Sequence, residues 1–230
     1  MVKLTEKDFR SFSLFRDLGS DGLLSLASSC SYREFGPGEL IVGHNDTTFD
    51  VFFLMSGKLQ VNLYSADGQR VGFQEMNSGS MFGEISAVDG LPRSVSVEAS
   101  TASRVAILPR HQFIVLIEEN PGFAMAVARH LAAQVRRLTT RVFEFSTMAV
   151  RQRLRAELLR QAHPASGDVA IIEPILTHAE LASRISTHRE AVSREMAWLD
   201  AQGLVAKKGK ALFIPSLARF RTLLDEGWEG

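Results

Sequence analysis

A carboxylate and a guanidinium nine residues apart, Glu84 and Arg93, mark the part of this chain best suited to hold a small ligand. The planar fork of donors on Arg93 matches the oxygens of a phosphate. An ionised Glu84 can only accept hydrogen bonds, so a sugar hydroxyl is its natural partner. Gly83 removes bulk where a phosphate must approach backbone amides. The segment 81–97 therefore predicts a pocket for a phosphate and a sugar, although an exposed ion pair is the commoner interpretation of two such residues alone.

A second candidate site lies between residues 177 and 199, where a break separates two short helical segments. Thr177 can cap the first helix with Glu180 in the capping-box position, and Thr187 can cap the second with Glu190. Arg and Glu near the start of the second helix can bond guanine and cytosine edges in the major groove. The break and the two caps suit a helix-turn-helix that reads DNA, although a solvated helix face is the default interpretation of such a helix taken alone. The predicted contacts on these helices are Thr177, Thr187, His188, Arg189, Glu190, Ser193 and Arg194.

Two apolar runs after residue 203 flank a basic turn. They predict a two-stranded wing with Lys207, Lys208 and Lys210 at its tip. Lysines in such a turn are suited to contact DNA phosphates.

The helical stretch before these elements carries an apolar seam with a period of seven. Val at two positions and Leu at two others, offset by three, is the combination that favours a parallel two-stranded coiled coil. We therefore predict a dimer interface, while a helix packed on its own barrel would show a similar apolar face. The seam residues are Ala128, Leu131, Val135, Leu138, Val142 and Phe145.

The elements that must position these residues change character along the chain. Residues 1–29 predict short helices, and residues 32–108 predict roughly eight strands separated by turn signals, typical of an antiparallel jelly-roll barrel. The run from Val51 to Val61 resembles the strand–glycine–strand hairpin of cyclic-nucleotide-binding domains, which implies that Gly57 supplies the turn of a hairpin here. From Pro109 to about Ala162 the apolar spacing is helical.

The residue order from 82 to 95 resembles the phosphate-binding cassette of cyclic-nucleotide-binding domains. The resemblance implies a cyclic nucleotide effector, with cAMP favoured and cGMP possible. In that family, hydroxyl residues on the helix after the barrel face the purine base, which implies Thr139 and Thr140 as further contacts. The cassette residues implied to bind ligand are Phe82, Gly83, Glu84, Ile85, Ser86, Arg93, Ser94 and Val95.

The Arg-Glu-x-x-Ser-Arg run from 189 to 194 resembles the recognition helix of the catabolite activator and fumarate-nitrate-reductase regulator family. The resemblance spans essentially the whole chain and implies an α+β fold. Its parts would be an N-terminal antiparallel β jelly-roll barrel (1–120), a long dimerisation helix and hinge (121–146), and a C-terminal winged helix-turn-helix (147–230). It implies an allosteric homodimer that binds a palindromic operator in double-stranded DNA and has RNA polymerase as a partner.

Composition excludes several other classes. The chain of 230 residues has a formal net charge of zero, but the counts give −2 over residues 1–146 and +2 over residues 147–230. The single Cys30 cannot hold an iron–sulfur cluster and fits a reducing compartment. None of the six His residues lies between 65 and 110, where a haem ligand would be expected from the resemblance, and no metal-ligand spacing is present. No apolar run could span a bilayer, so we predict a cytoplasmic protein without a membrane partner.

Two other functions stay open at this point. The barrel could sense a ligand while the C-terminal helices hold a protein partner, or the regulator could take a cyclic dinucleotide or no ligand. An enzyme is not indicated, because the sequence has no nucleophile–base motif and no P-loop.

Overall fold

The structure, a computed structural model, describes residues 4–64 and 70–225 of the chain. The chain divides into two compact units, residues 1–136 and 137–230. Each unit has a hydrophobic core of its own.

The first unit begins with short helical elements that carry an aromatic core. These are α1 (Glu6–Phe9), a 3₁₀ turn (Ser13–Phe15) and α2 (Ser20–Ser29). Phenylalanine rings from this segment meet one another and a phenylalanine of the barrel in edge-to-face and tilted contacts, with centroids 5.1–6.1 Å apart. Such contacts stabilise a core beyond simple burial. The rings that meet here are Phe9, Phe12, Phe15 and Phe53.

The described strands of the first unit form two four-stranded antiparallel sheets. One sheet has the order β1-β8-β3-β6 and the other the order β2-β7-β4-β5. This arrangement confirms the predicted antiparallel jelly-roll barrel. The strands are β1 (Ser31–Phe35), β2 (Leu40–Val42), β3 (Val51–Ser56), β4 (Lys58–Tyr64), β5 (Arg70–Asn77), β6 (Met81–Phe82), β7 (Ser96–Ala99) and β8 (Ser103–Leu108).

Strand β3 supplies side chains to two cores at once. Val51 and Phe53 join the helical core, whereas Phe52 and Leu54 join the core between the two sheets. Successive side chains of a strand point to opposite faces, so an unbroken apolar run is what a strand covered on both faces requires.

The predicted hairpin at Gly57 is wrong in one respect. Gly57 does make the turn, with φ at 95°, but β3 and β4 lie in different sheets. The glycine therefore turns the chain from one sheet to the other. A Cβ at this position would lie 2.3 Å from Ser103 Oγ and 2.5 Å from the Ala102 carbonyl oxygen, so a side chain has no room there.

Helices follow the barrel, as the sequence predicts. They are α4 (Arg110–Glu119), α5 (Pro121–Thr147) and α6 (Val150–Gln161). A six-residue helix, α3 (Glu84–Asp89), lies earlier in the chain, within the cassette. Helix α5 is long enough, at 27 residues, to cross the boundary between the two units. Its length is about 40 Å at 1.5 Å per residue.

The second unit combines helices with a four-stranded antiparallel sheet of order β11-β12-β10-β9. The predicted wing is present as β11 and β12, which pair around Gly209 at a φ of 60°. The other two strands were not predicted, because each has only two or three residues. The remaining elements are β9 (His163–Pro164), β10 (Ala170–Ile172), α7 (His178–Arg184), α8 (Arg189–Ala201), β11 (Ala206–Lys208), β12 (Ala211–Ile214) and α9 (Leu217–Asp225).

A cluster of ion pairs fastens the end of α5 inside the second unit. Two buried carboxylates, Glu144 and Glu157, lie at its centre. Arg141 contacts Glu144 at 3.4 Å and Glu157 at 3.5 Å, and it also donates to the backbone carbonyl of Arg184. Arg160 bonds both carboxylates, and the Arg184 guanidinium lies 3.3 Å from Glu157. The last turns of α5 are therefore held to α6 and α7.

Within the described ranges, no helix combines the length and apolar character needed to cross a lipid bilayer.

Candidate functional site

The segment with the Glu and Arg signature forms a tight turn followed by a short helix. Strand β6 ends at Phe82, Gly83 takes a left-handed φ of 84°, and α3 (Glu84–Asp89) begins at the glutamate. A Cβ on Gly83 would lie 2.7 Å from both Arg93 Nη1 and the Asp50 carbonyl oxygen. Only glycine fits this conformation and this space. The sequence did not predict α3, because a six-residue segment between two glycines reads as a loop.

Arg93 is buried, with 2 % of its surface exposed, and its side chain is bonded within its own unit. Nη1 donates to the Gly83 carbonyl at 2.9 Å and Nη2 to the Asp50 carbonyl at 2.8 Å, while Nε donates to Thr48 Oγ1 at 3.2 Å. One N–H on each terminal nitrogen has no hydrogen-bond partner in the described part of the chain. These two donors can receive a phosphate without loss of the internal bonds.

The electrostatic surroundings of Arg93 are acidic. Burial lowers the pKa of the guanidinium, and the carboxylates of Asp50, Asp46 and Glu84 act in the opposite direction. Its backbone is fixed as well, since Arg93 N donates to the Asp46 carbonyl and its own carbonyl accepts from Asn45 N, both at 2.9 Å. The guanidinium is thus held in place before any ligand arrives.

Glu84 is equally buried, and helix α5 supplies its partners. Glu84 Oε1 accepts a hydrogen bond from Gln134 Nε2 at 2.5 Å and lies 3.2 Å from His130 Nε2. Glu84 Oε2 has no hydrogen-bond partner among residues 4–64 and 70–225. This second oxygen is available to a ligand hydroxyl. His130 and Gln134 were not predicted from the sequence; the only signal was that these two polar residues lie four apart, and so on one face of the helix.

The other residues predicted to bind ligand fall into different environments. Phe82 stacks on Phe52 with centroids 4.8 Å apart and belongs to the barrel core. Ser86 is buried and Val95 half-buried, whereas Ile85 and Ser94 are exposed. Thr139 and Thr140 are exposed on α5 in the second unit, and their role stays a prediction.

The first helix of the predicted helix-turn-helix has the expected cap. Thr177 Oγ1 accepts from Glu180 N at 3.2 Å, and Glu180 Oε2 accepts from Thr177 N at 2.7 Å, so the capping box is complete. The second cap was predicted wrongly. His188, not Thr187, occupies the N-cap position of α8, and no side chain caps this helix. The turn is made by Ser186, at a φ of 49°, and the helix starts one residue later than the Thr–Glu spacing suggested.

Helix α8 has a buried inner face and an exposed outer face. Val192, Met196 and Leu199 are buried in the core of the second unit. Ser193 is half-buried and its hydroxyl lies 2.8 Å from Nδ1 of His178 on α7, so it also joins the two helices. The outer face carries the exposed residues His188, Arg189, Glu190 and Arg194.

The wing presents a basic tip. Lys207, Lys208 and Lys210 are exposed, and the ammonium of Lys208 lies 5.2 Å from the ring centre of Phe213. Three cations around one tight turn can contact the phosphates of a duplex.

The predicted dimer seam is exposed only in part. In the single chain, Val135, Leu138 and Val142 are 62 %, 51 % and 65 % exposed, and Ala128 is exposed beside them. Leu131 packs against the helical core of the first unit. Phe145 is half-buried, with the guanidinium groups of Arg141 and Arg153 5.0 and 5.1 Å from its ring centre. The exposed apolar stripe is thus narrower than the six-residue seam.

Comparisons with known proteins agree with this geometry. The cyclic nucleotide-binding domain family matches residues 32–120, and the Crp-like helix-turn-helix domain family matches residues 152–223. The chain belongs to the catabolite activator and fumarate-nitrate-reductase regulator family. Members of this family are transcription regulators, and they are not enzymes.

Individual relatives within this family are distant in sequence. The chain is 23 % identical over 209 residues to the CRP-like cAMP-activated global transcriptional regulator of Mycobacterium tuberculosis, a match that covers 90 % of this chain and 93 % of the relative. The structure resembles a mutant of CooA from Carboxydothermus hydrogenoformans, with a TM-score of 0.80, 15 % identity, and 96 % and 99 % of the two chains covered. It also resembles the c-di-GMP responsive global regulator CLP of Xanthomonas campestris, with a TM-score of 0.71, 16 % identity, and 82 % and 95 % covered. At these identities the structural similarities show the fold alone.

The described residues contain no group of three or more His, Cys, Asp or Glu side chains placed to hold a metal ion.

Proposed function

We propose that this regulator is a homodimer that binds a cyclic nucleotide, cAMP in the first place and cGMP as a possible alternative, and that the ligand controls its binding to a palindromic operator. The observation that supports a cyclic nucleotide as the ligand is the buried pair of Glu84 and Arg93 around Gly83. One carboxylate oxygen and two N–H groups of this pair are still available. A phosphate and a ribose hydroxyl have the matching donor and acceptor pattern. The names of the cAMP-activated relatives support the choice of cAMP.

The operator half of the proposal rests on the outer face of α8. Arg189, Glu190 and Arg194 are exposed, and the buried inner face fixes the rotation of the helix about its axis. Arg can read guanine and Glu can read cytosine in the major groove. A two-fold symmetric protein reads two half-sites about one helical turn apart, 10–10.5 bp. RNA polymerase is a further proposed partner. Binding to chromosomal DNA would also require the protein to be in the cytoplasm.

Calorimetric titration of the pure protein with cAMP, cGMP and cyclic di-GMP tests the ligand. We expect saturable binding of cAMP and a clear loss of affinity with the 2′-deoxy analogue, because that analogue has no hydroxyl for Glu84. Binding of cyclic di-GMP alone would replace the proposed ligand. This dinucleotide is included because the structurally similar CLP regulator is described as c-di-GMP responsive.

Binding-site selection on random duplexes, with ligand present, tests the operator. The wild-type protein is expected to return a two-fold symmetric motif, and Arg189→Ala is expected to lose information at one symmetric pair of positions. Lys208→Ala is the matched comparison. Loss of a phosphate contact should weaken binding to all DNA sequences alike and reduce the slope of log affinity against log salt concentration by about one unit. If the wild-type protein enriches no motif, the C-terminal unit would instead hold a protein partner.

A further inference from the structure

The turn between the two helices of the helix-turn-helix is held only weakly by its own residues. Ser186 takes the left-handed conformation, at a φ of 49°, although it is not a glycine, and no side chain caps the start of α8 at His188. One backbone bond, from Thr187 N to the Ala182 carbonyl at 3.0 Å, closes the turn from within. A residue with a Cβ disfavours the left-handed conformation, so contacts from elsewhere are needed to hold this turn.

Two guanidinium groups from other helices bond the carbonyls directly before the turn. On α5, Arg141 Nη2 donates to the Arg184 carbonyl. On α6, Arg153 Nε donates to the Ile185 carbonyl at 3.2 Å. The last carbonyls of a helix have no partner within that helix, and a cation is favourable beside them because of the helix dipole. The end of α7 is therefore fixed by charged donors that belong to α5 and α6.

The ring of Phe145, near the end of α5, contacts both guanidinium groups. Its centre is 5.0 Å from Arg141 Cζ and 5.1 Å from Arg153 Cζ, and both distances are within the range of a cation–π contact. Phe145 is half-buried in the single chain, whereas Val142 of the same predicted seam is exposed. Phe145 is thus already engaged within its own unit. We call Arg141, Phe145 and Arg153 the turn clamp.

The first turn of α8 depends on the preceding turn for its position. The buried residues of α8 begin only at Val192, so Arg189 and Glu190 precede the part of the helix that the core fixes. Both of these side chains are exposed. Arg194 lies beyond Val192, in the part that is held by the core. A displacement of the turn would therefore move Arg189 and Glu190 more than Arg194.

We propose that the turn clamp positions the first turn of α8 against DNA, so that its three residues determine specificity at the base pairs read by Arg189 and Glu190 without contacting them. Phe145 then serves this positioning and not the dimer contact. The inference rests on the proposed operator binding. A displaced first turn loses base contacts while the phosphate contacts of the wing remain, so specificity should fall more than general affinity for DNA.

The test is binding-site selection with the full chain, with saturating cAMP and in parallel without nucleotide. The affinities for the selected duplex and for a duplex of random sequence are then measured. In Arg153→Met the ratio of these two affinities should fall about tenfold, the effect of losing one bidentate base contact. The motif should lose information at the positions that Arg189→Ala also affects. Arg151→Met, which removes an exposed guanidinium from the same helix, is the matched control and should keep the wild-type ratio.

A second variant tests the assignment of Phe145. Phe145→Leu keeps an apolar side chain but removes the ring that both guanidinium groups contact, so it should remain dimeric in sedimentation and lose specificity as Arg153→Met does. A protein that is only destabilised would bind both duplexes less well by the same factor, so its ratio would not change. An unchanged ratio in both variants, or a monomeric Phe145→Leu beside a dimeric wild type, would overturn the inference and leave the proposed function standing. A wild-type protein that enriches no motif would overturn both.

Discussion

At Arg93, ligand binding and stability of the cassette depend on the same side chain. Its guanidinium satisfies two backbone carbonyls, those of Gly83 and Asp50, before any phosphate is present. Arg93→Ala should therefore lower cAMP affinity at least tenfold, because charge-assisted bonds contribute about 1.5–3 kcal/mol each. It should also lower the free energy of unfolding of the first unit by about 1–3 kcal/mol, because buried acceptors lose their donor. Titration and denaturant unfolding measure the two effects.

The control for Arg93→Ala is Arg33→Ala, which removes a largely exposed guanidinium from the same unit. Arg33→Ala should leave the cAMP affinity and the free energy of unfolding close to the wild-type values. Arg93→Lys should not restore affinity, since an ammonium cannot form the planar fork. Wild-type cAMP affinity in Arg93→Ala would exclude this pocket.

Two glycines with nearly the same backbone allow the crowding at Gly83 to be measured separately. Gly79 has φ at 89° and a Cβ there would have nothing within 4 Å, whereas at Gly83 a Cβ would meet Arg93 and the Asp50 carbonyl at 2.7 Å. Gly79→Ala should lower the free energy of unfolding by about 1 kcal/mol, because a residue with a Cβ disfavours the left-handed backbone conformation. Gly83→Ala should cost clearly more and should abolish cAMP binding. Equal melting temperatures for the two variants would contradict this account.

At the scale of the element, the two halves of the helix-turn-helix differ in how they begin. Thr177 caps α7 through a complete capping box, whereas Thr187 makes no capping bond to α8. Thr177→Ala should lower the stability of the second unit by about 1 kcal/mol, the usual cost of a lost N-cap. Thr187→Ala should change it by a few tenths at most. Thermal unfolding followed by circular dichroism compares the pair, and a larger loss at Thr187 would mean that its hydroxyl does cap α8.

The ion-pair cluster around Glu157 makes the second unit sensitive to acid. Burial raises the pKa of Glu157, but Arg160, Gln161 and Arg184 more than offset this and hold it below its ordinary value of 4.5. A depressed pKa contributes stability above the unfolded-state pKa, and this contribution is lost as the pH falls through the folded-state pKa. Glu157→Gln should lower the free energy of unfolding by about 3 kcal/mol near neutral pH.

The acid sensitivity provides the check on Glu157→Gln. The difference in unfolding free energy between wild type and variant should shrink as the pH falls below 4.5. Asp200→Asn, which alters an exposed carboxylate on α8, should show no such difference. A gap between wild type and Glu157→Gln that does not change with pH would mean that the charge of Glu157 does not contribute.

The sequence predicted the elements whose signal is repeated along the chain. Turn residues at short intervals indicated the barrel, and the apolar period of seven indicated α5. It missed contacts between distant residues, such as Glu84 with His130, because no local pattern encodes which helix passes a given carboxylate. It also missed α3 and misplaced the start of α8. In both cases the helix begins shortly after a residue with a positive φ, Gly83 or Ser186. The amino-acid types at these positions do not by themselves predict that backbone conformation.

At the scale of the whole molecule, the exposed stripe on α5 should determine the oligomeric state. Leu138→Asp puts a charge at the centre of Val135, Leu138 and Val142, so a coiled-coil dimer should dissociate. Sedimentation should show monomer with the helical circular dichroism signal kept, and operator affinity should fall because two half-sites need two chains. Ala133→Asp adds the same charge at an exposed position outside the seam and should remain dimeric. A dimeric Leu138→Asp would move the interface elsewhere.

The two faces of β3 have a consequence for how relatives of this protein diverge. Val51 and Phe53 pack with the helical core, while Phe52 and Leu54 pack inside the barrel. Neighbouring residues of this strand therefore belong to different cores. A substitution at one position should not require a compensating substitution at the next. Across an alignment of relatives, substitutions at 51 and 53 should covary with the helices and those at 52 and 54 with the barrel strands. Covariation with the helices and covariation with the barrel strands should thus alternate from one residue to the next over positions 51–54.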